Sequence, residues 1–275
     1  MNDSIENRME RIKKGKTTKS QRKLIEYLES VDYENIIYLS ITELAEYTKV
    51  AEATILRFCR SLGFNGYQEF KLNMAQELSN ARLKPGDSEY IRDISENYVD
   101  ALEKCRKSLS SSAVDEAIEC ILSAKTVCCF GAGNSYVPAL ELHNRLMKMG
   151  IYSQCERDAH LQNILISSCG SEDVMVLFSI SGGTKDVVDA AALARTCGMR
   201  IIVVTSHDKS PLTRFADVVL SSVPTESPTE AGAMASKIIQ LFLVDILCTG
   251  IYFKDKKKYG DCIAKSNAAV VGKLI

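Results

Sequence analysis

The chain has 275 residues, 46% of them hydrophobic and 25% charged, and a formal net charge of −1. That composition excludes wholesale disorder and low-complexity or collagen-like design, and the length suits two domains of roughly 100–200 residues each. No run of about 18 uninterrupted apolar residues occurs and the polar N-terminus lacks a signal-peptide core, so no membrane span is expected and the expected compartment is the cytoplasm.

The first 84 residues hold 14 Lys+Arg and 12 Asp+Glu, so they are only slightly basic. Within them, Arg11 to Lys23 carries seven basic residues and no acid. Two readings are open for that run: a solvated face, or a surface that meets phosphates. Leu24, Ile25 and Leu28 then recur at helical spacing. Ser40 followed by Glu43 reads as a capping box, opening a helix that ends near Tyr47. After the break TKV, a second helix runs from about Glu52 to Leu62 and stops at Gly63. A third helix is expected from Tyr67 to about Ala81.

Two short helices around a tight turn can place the second in a DNA major groove. Ala45 is small enough for close approach, and Val50, Ile55 and Phe58 form the expected inner face. Glu52, Ala53, Thr54, Arg57 and Arg60 then face outward, with Arg57 and Arg60 three apart on one face. These five are candidate DNA-binding residues. Tyr67 and Lys71, opening the next helix, are candidate anchors on the phosphate backbone.

LKPGD at 83–87 marks the boundary. Helices are expected from Glu89 to Leu109 and from Ala113 to Ala124. From Lys125 short apolar runs alternate with helical stretches: TVCCF, DVMVLFSI, RIIVVTS and ADVVLSS. That alternation implies a parallel sheet with crossover helices, and an apolar helix from Ala231 to about Tyr252 closes the domain. The fold class expected is therefore α/β, an all-α N-terminal domain (1–82) followed through a helical linker (83–111) by a doubly wound parallel-sheet domain (112–275).

Ten cysteines form no C-x-x-C pair and no zinc-finger spacing with His, so they read as reduced small hydrophobes, with no metal site expected. Two strand-to-helix turns carry the candidate chemistry. The first is Gly131-Ala132-Gly133-Asn134-Ser135, where glycines let the backbone approach an anion at a helix N-terminus. A dinucleotide fingerprint would need a third Gly where Tyr136 stands, so no nucleotide cofactor is expected. The second is Ser179-Ile180-Ser181-Gly182-Gly183-Thr184, three hydroxyls around one concavity. Without a Lys, it suits a monophosphate ester. Read alone, such a loop is also a plain tight turn. Of the three histidines, His143 reads as structural and His207 as a surface-loop residue, while His160 and Gln162 are placed to meet sugar hydroxyls.

The stretch from about Thr18 to Leu78, above all EATILRFCRSLGFNGYQEFK, resembles the N-terminal domain of RpiR-type transcriptional regulators. Two positions depart from that pattern: Lys49 stands where the turn usually has Gly, and Ala51 where Ser usually opens the second helix. From about Ser112 to Tyr252 the chain resembles the sugar isomerase (SIS) domain, through GAGNS, LFSISGGTKDVVDAAALARTCG and IIVVTSHDKSPLTRFADVVL. This resemblance implies that Ser179, Ser181 and Thr184 bind a sugar phosphate, with Ser135 and Asn134 beside them. Gly131, Gly133, Gly182 and Gly183 would shape the loops, and Glu230, with Glu226 near it, would lie at the sugar. Together the resemblances imply a regulator that binds a double-stranded DNA operator as a homodimer or tetramer, answers to a phosphorylated sugar, and is not an enzyme. A sugar-phosphate isomerase with an accessory helical domain is the alternative, and a helical module joined to a cofactor-binding α/β domain is a third reading.

Overall fold

A computed structural model describes residues 4–15, 17–31, 33–37, 39–82, 89–222 and 234–271. The expected boundary LKPGD at 83–87 and the candidate residues Glu226 and Glu230 lie outside them. The chain divides into two compact units, one up to Ser95 and one opening at Glu96.

The first unit is helical. It begins with α1 (Ile5–Lys14), which the sequence reading did not anticipate, and continues with α2 (Lys19–Ser30), α3 (Tyr33–Ile36), α4 (Ile41–Thr48), α5 (Glu52–Ser61) and α6 (Tyr67–Arg82). Each helix buries one stripe in a shared core that includes Met9, Leu24, Leu28, Leu44, Ile55, Phe58 and Phe70. Helix α2 starts at a capping box: Thr18 Oγ1 accepts the Gln21 N–H at 3.3 Å, and Gln21 Oε1 accepts the Thr18 N–H at 2.9 Å. Helix α4 starts at the expected one, with Ser40 Oγ accepting the Glu43 N–H at 3.1 Å and Glu43 Oε2 the Ser40 N–H at 2.6 Å.

The turn between α4 and α5 pays for its tightness at two residues. Lys49 sits in the left-handed region at φ 55° and ψ 38°, the one non-glycine residue of positive φ among the described residues. Ala51 occupies the N-cap of α5 and offers no side-chain acceptor.

Helix α7 (Glu89–Ser108) carries the chain from one unit into the other. The second unit continues with α8 (Ser111–Ser123), β1 (Val127–Gly131), α9 (Tyr136–Lys148), β2 (Ser153–Cys155), α10 (Ala159–Ser167), β3 (Val174–Phe178), α11 (Lys185–Thr196), β4 (Arg200–Thr205), β5 (Val218–Ser221), α12 (Met234–Lys254) and α13 (Lys256–Val271). Helix α13 was not anticipated either.

The five strands form one parallel sheet in the order β2-β1-β3-β4-β5. Successive strand side chains alternate between two cores. Cys129, Val176, Phe178, Ile202 and Val204 face a cluster built with residues of α8, α9 and α12, whereas Cys128, Phe130, Met175, Leu177 and Val203 face one that includes Val187, Ala190 and Ala194 of α11. Both faces are covered, which is why the strands read as unbroken apolar runs. Helix α12 is long and apolar enough to cross a membrane, but half of its most apolar window is buried, with Ile239, Leu243, Val244 and Leu247 in the core. Six cysteines are buried, and burial raises the thiol pKa, of Cys59 for instance to about 12.

Relieving the turn should stabilise the first unit. Lys49→Gly removes a left-handed strain of roughly 1 kcal/mol, and Ala51→Ser adds an N-cap of about 1 kcal/mol. Urea unfolding followed by circular dichroism should show each as an upward shift of that unit's midpoint.

Candidate functional site

In the α/β unit the chain leaves β1 outward to β2 and returns across β1 to β3. The sheet order therefore reverses between β1 and β3, and ligand crevices form outside the carboxyl ends of strands at such a point. Gly131 pairs in register with Phe178. The two candidate loops thus leave neighbouring strands at one level, the first opening α9 through a short 3-10 turn at Gly133–Ser135 and the second opening α11 at its N-cap, Thr184.

The glycines shape these loops for steric reasons. A Cβ on Gly131 would lie 2.2 Å from the Ser135 carbonyl oxygen, so the loop folds back on its strand only with hydrogen there. Gly182 has φ +58°, and a Cβ on it would lie 2.1 Å from Ser210 Oγ. Ser135 and Ser179 are buried, Ser181 is half-buried, and Gly133, Asn134, Gly183 and Thr184 are exposed.

The serines of the second loop are partly committed to the loop itself. Ser179 Oγ accepts the Gly182 N–H at 3.2 Å and Ser181 Oγ accepts the Gly183 N–H at 3.3 Å. As acceptors they keep their O–H hydrogens for another oxygen. Thr184 makes no side-chain cap bond to α11.

Beneath this loop lies a layer of hydroxyls to which the sequence reading gave no role. Thr205 Oγ1 donates to the Ile180 carbonyl at 3.2 Å, and the Ser206 N–H donates to the same oxygen at 3.1 Å. Ser206 and Ser222 join their hydroxyls at 2.9 Å. The signal was the Thr-Ser pair ending an apolar strand run, at the carboxyl edge of the sheet where sites gather.

Two expectations for this unit need correcting or narrowing, those for His207 and for the pair His160 and Gln162, while His143 makes a contact of the structural kind expected. His207 is 5% exposed, not a surface-loop residue, because its backbone N–H donates to Thr205 Oγ1 at 3.3 Å and folds the segment under the loop. Gln162 is fully buried on α10, with Nε2 4.0 Å from Met175 Sδ, while His160 beside it is exposed. His143 Nδ1 and Ser153 Oγ lie 2.9 Å apart, tying α9 to β2.

In the helical unit, Ala53, Arg57 and Arg60 are exposed on α5 and Thr54 is half-buried. Arg57 donates to Thr54 Oγ1 at 2.9 Å, so the two residues present one polar surface. Glu52 turns back instead, accepting the Thr42 hydroxyl at 2.8 Å and bridging α4 to α5. Tyr67 and Lys71 are not backbone anchors. Both are 4% exposed, and both donate to the Leu39 carbonyl, Tyr67 Oη at 3.1 Å and Lys71 Nζ at 2.8 Å. They hold the residue just before the α4 N-cap. Burial lowers the Lys71 pKa to about 8, against the opposing pull of Glu43.

Residues 5–81 match the helix-turn-helix domain of the rpiR family, and residues 120–250 match the SIS domain. An uncharacterized HTH-type transcriptional regulator of Clostridium perfringens is 33% identical over 92% of this chain and 92% of that one. This chain belongs to the RpiR family of helix-turn-helix transcriptional regulators. The HTH-type transcriptional regulator HexR of Escherichia coli is 31% identical over 98% of this chain and 94% of that protein. Among solved structures, the NanR protein of Vibrio vulnificus, complexed with ManNAc-6P, superposes with a TM-score of 0.88 at 27% identity, covering 98% of both chains.

Two outcomes follow for this RpiR-family chain. Gly182→Ala should destabilise the α/β unit by about 2–3 kcal/mol, from overpacking and left-handed strain together, whereas Gly133→Ala, with open space around its Cβ, should cost only about 1 kcal/mol. Urea midpoints of that unit rank the two. Lys71 is neutral in the fold above about pH 8 but charged in the unfolded chain up to 10.5. The unfolded state therefore binds more protons in that window, and Lys71 adds stability as pH rises through it. The stability of wild type relative to Lys71→Met should grow between pH 8 and 10.5 by on the order of 2 kcal/mol, measured by urea unfolding at each pH.

Proposed function

We propose that this regulator binds a DNA operator through α5 and that a phosphorylated sugar, held by the loops after β1 and β3, sets its operator affinity. One observation carries the reading: two glycine-shaped, hydroxyl-bearing loops leave adjacent strands in register at the reversal point of the sheet. Ser179, Ser181 and Thr184 offer O–H donors, and the first turn of α11 offers unpaired backbone N–H groups with a partial positive charge. A dianionic phosphate ester fits such a donor set, with Ser135 and Asn134 on the sugar side. The ligand named with the Vibrio vulnificus NanR protein, ManNAc-6P, belongs to that class.

On the DNA side, Arg57 and Arg60 are the side chains for guanine edges or phosphates, with Ala53 and Thr54 lining the groove contact. Glu52 contributes by holding α5 to α4. A homodimer or tetramer sets pairs of α5 helices about 34 Å apart on a near-palindromic site. A coupling of about 1–3 kcal/mol between effector and operator changes affinity about 5- to 150-fold, and reciprocity makes DNA change effector affinity by the same factor.

Two variants test this in opposite directions. Arg57→Ala should weaken operator binding by roughly tenfold or more, the cost of one lost bidentate contact, and leave effector-induced thermal stabilisation intact. Ser181→Ala should abolish that stabilisation across a panel of phosphorylated hexoses, amino sugars and pentoses while DNA binding persists. Equal effector affinities with and without operator would show that no coupling exists.

A further inference from the structure

A trans peptide unit is planar, so the carbonyl of one residue and the N–H of the next point opposite ways from a single plane. In the second candidate loop this ties Ile180 to Ser181. The Ile180 carbonyl is turned toward the end of β4, where it accepts from Thr205 Oγ1 at 3.2 Å and from the Ser206 N–H at 3.1 Å. Both of its lone pairs are then used. The Ser181 N–H is therefore turned away from the end of β4, and it has no acceptor among the described residues. The neighbouring bonds agree. The Ser179 N–H donates to the Val204 carbonyl at 3.0 Å, and the Leu212 N–H donates to the Gly182 carbonyl at 3.0 Å, so the loop is tied down on its β4 side at three successive points.

Thr205 is the side chain that reaches into this set from another element. It ends β4, is fully buried, and accepts the His207 N–H at 3.3 Å, which commits its own hydrogen to Ile180. A β-branched residue on a strand is stiff at χ1, so the hydroxyl is held by the sheet and not by the loop it supports. We infer that Thr205 is a positioning residue for the anion site: by fixing the Ile180 carbonyl it aims the Ser181 N–H, with the Ser181 hydroxyl beside it, at the phosphate of the bound ester. The inference rests on the phosphate reading of this loop above.

The probe is inorganic phosphate, titrated into the full chain by calorimetry, with urea unfolding of each variant alongside. Thr205→Val keeps the shape and removes the hydroxyl. It should weaken phosphate binding about tenfold, the weight of one hydrogen bond in the donor set. Thr205→Ser retains both bonds and should bind within about twofold of wild type. Ser153→Ala removes another buried hydroxyl of the same unit, one that lies 2.9 Å from His143 Nδ1 between α9 and β2. It should lower stability and leave phosphate affinity unchanged, which separates positioning from plain support of the fold. Should Thr205→Val fail to fold, Thr205→Cys, similar in size and only a weak donor, takes its place with the same expected loss. Wild-type phosphate affinity in the folded variant lacking the hydroxyl overturns the role of Thr205 alone, as does a Thr205→Ser variant that binds no better than Thr205→Val. A wild-type chain that binds neither inorganic phosphate nor any sugar phosphate overturns the phosphate reading of the loop, and this inference with it.

Discussion

The pairing of β1 with β3 is the constraint on which the α/β unit turns. Because Gly131 and Phe178 stand opposite one another, two loops that lie some fifty residues apart in the chain begin side by side at the edge of the sheet. Everything specific to that region depends on it. Gly131 admits the Ser135 backbone, Gly182 admits Ser210, and the hydroxyls of Ser179 and Ser181 stiffen the second loop without spending their hydrogens. Had the chain crossed elsewhere, the same residues would be two unrelated turns.

The helical unit solves a comparable problem with different means. The helix-turn-helix is held from behind by a single carbonyl, that of Leu39, which receives both Tyr67 and Lys71. A buried lysine is costly, and its lowered pKa reports that cost. What it secures is the start of α4, whose far end leads through the strained Lys49 into α5. Glu52 and Thr42 close the same angle from the other side of the turn. Both contacts act at the start of α4, and α5 is held against it there, with Arg57 bonded to Thr54 of its own helix.

Local rules made much of this readable from the chain alone. The capping box at Ser40, the stop at Gly63, the apolar strand runs and the glycine-rich turns are each decided by neighbours within a few residues. Helix α1 escaped because Ile5 and Met9 are sparse among charges, and their burial depends on the rest of the core forming. Helix α13 escaped for a similar reason: Tyr259 alone is buried on it among the described residues. Tyr67 and Lys71 were misplaced because their spacing at the head of a helix looks the same whether the side chains turn out to phosphate or in to a carbonyl.

Residue order thus settled most of the helices, four of the five strands and which strand-to-helix turns carry glycine, since those outcomes follow from short-range backbone sterics and periodic burial. Which polar groups meet one another came only with the assembled fold. The Leu39 clamp, the Thr205–Ser206–Ser222 layer under the second loop and the burial of His207 each join groups from separate elements. No local pattern encodes such meetings, because a hydroxyl or an ammonium finds its partner only after sheet order and helix packing have set the distance between them.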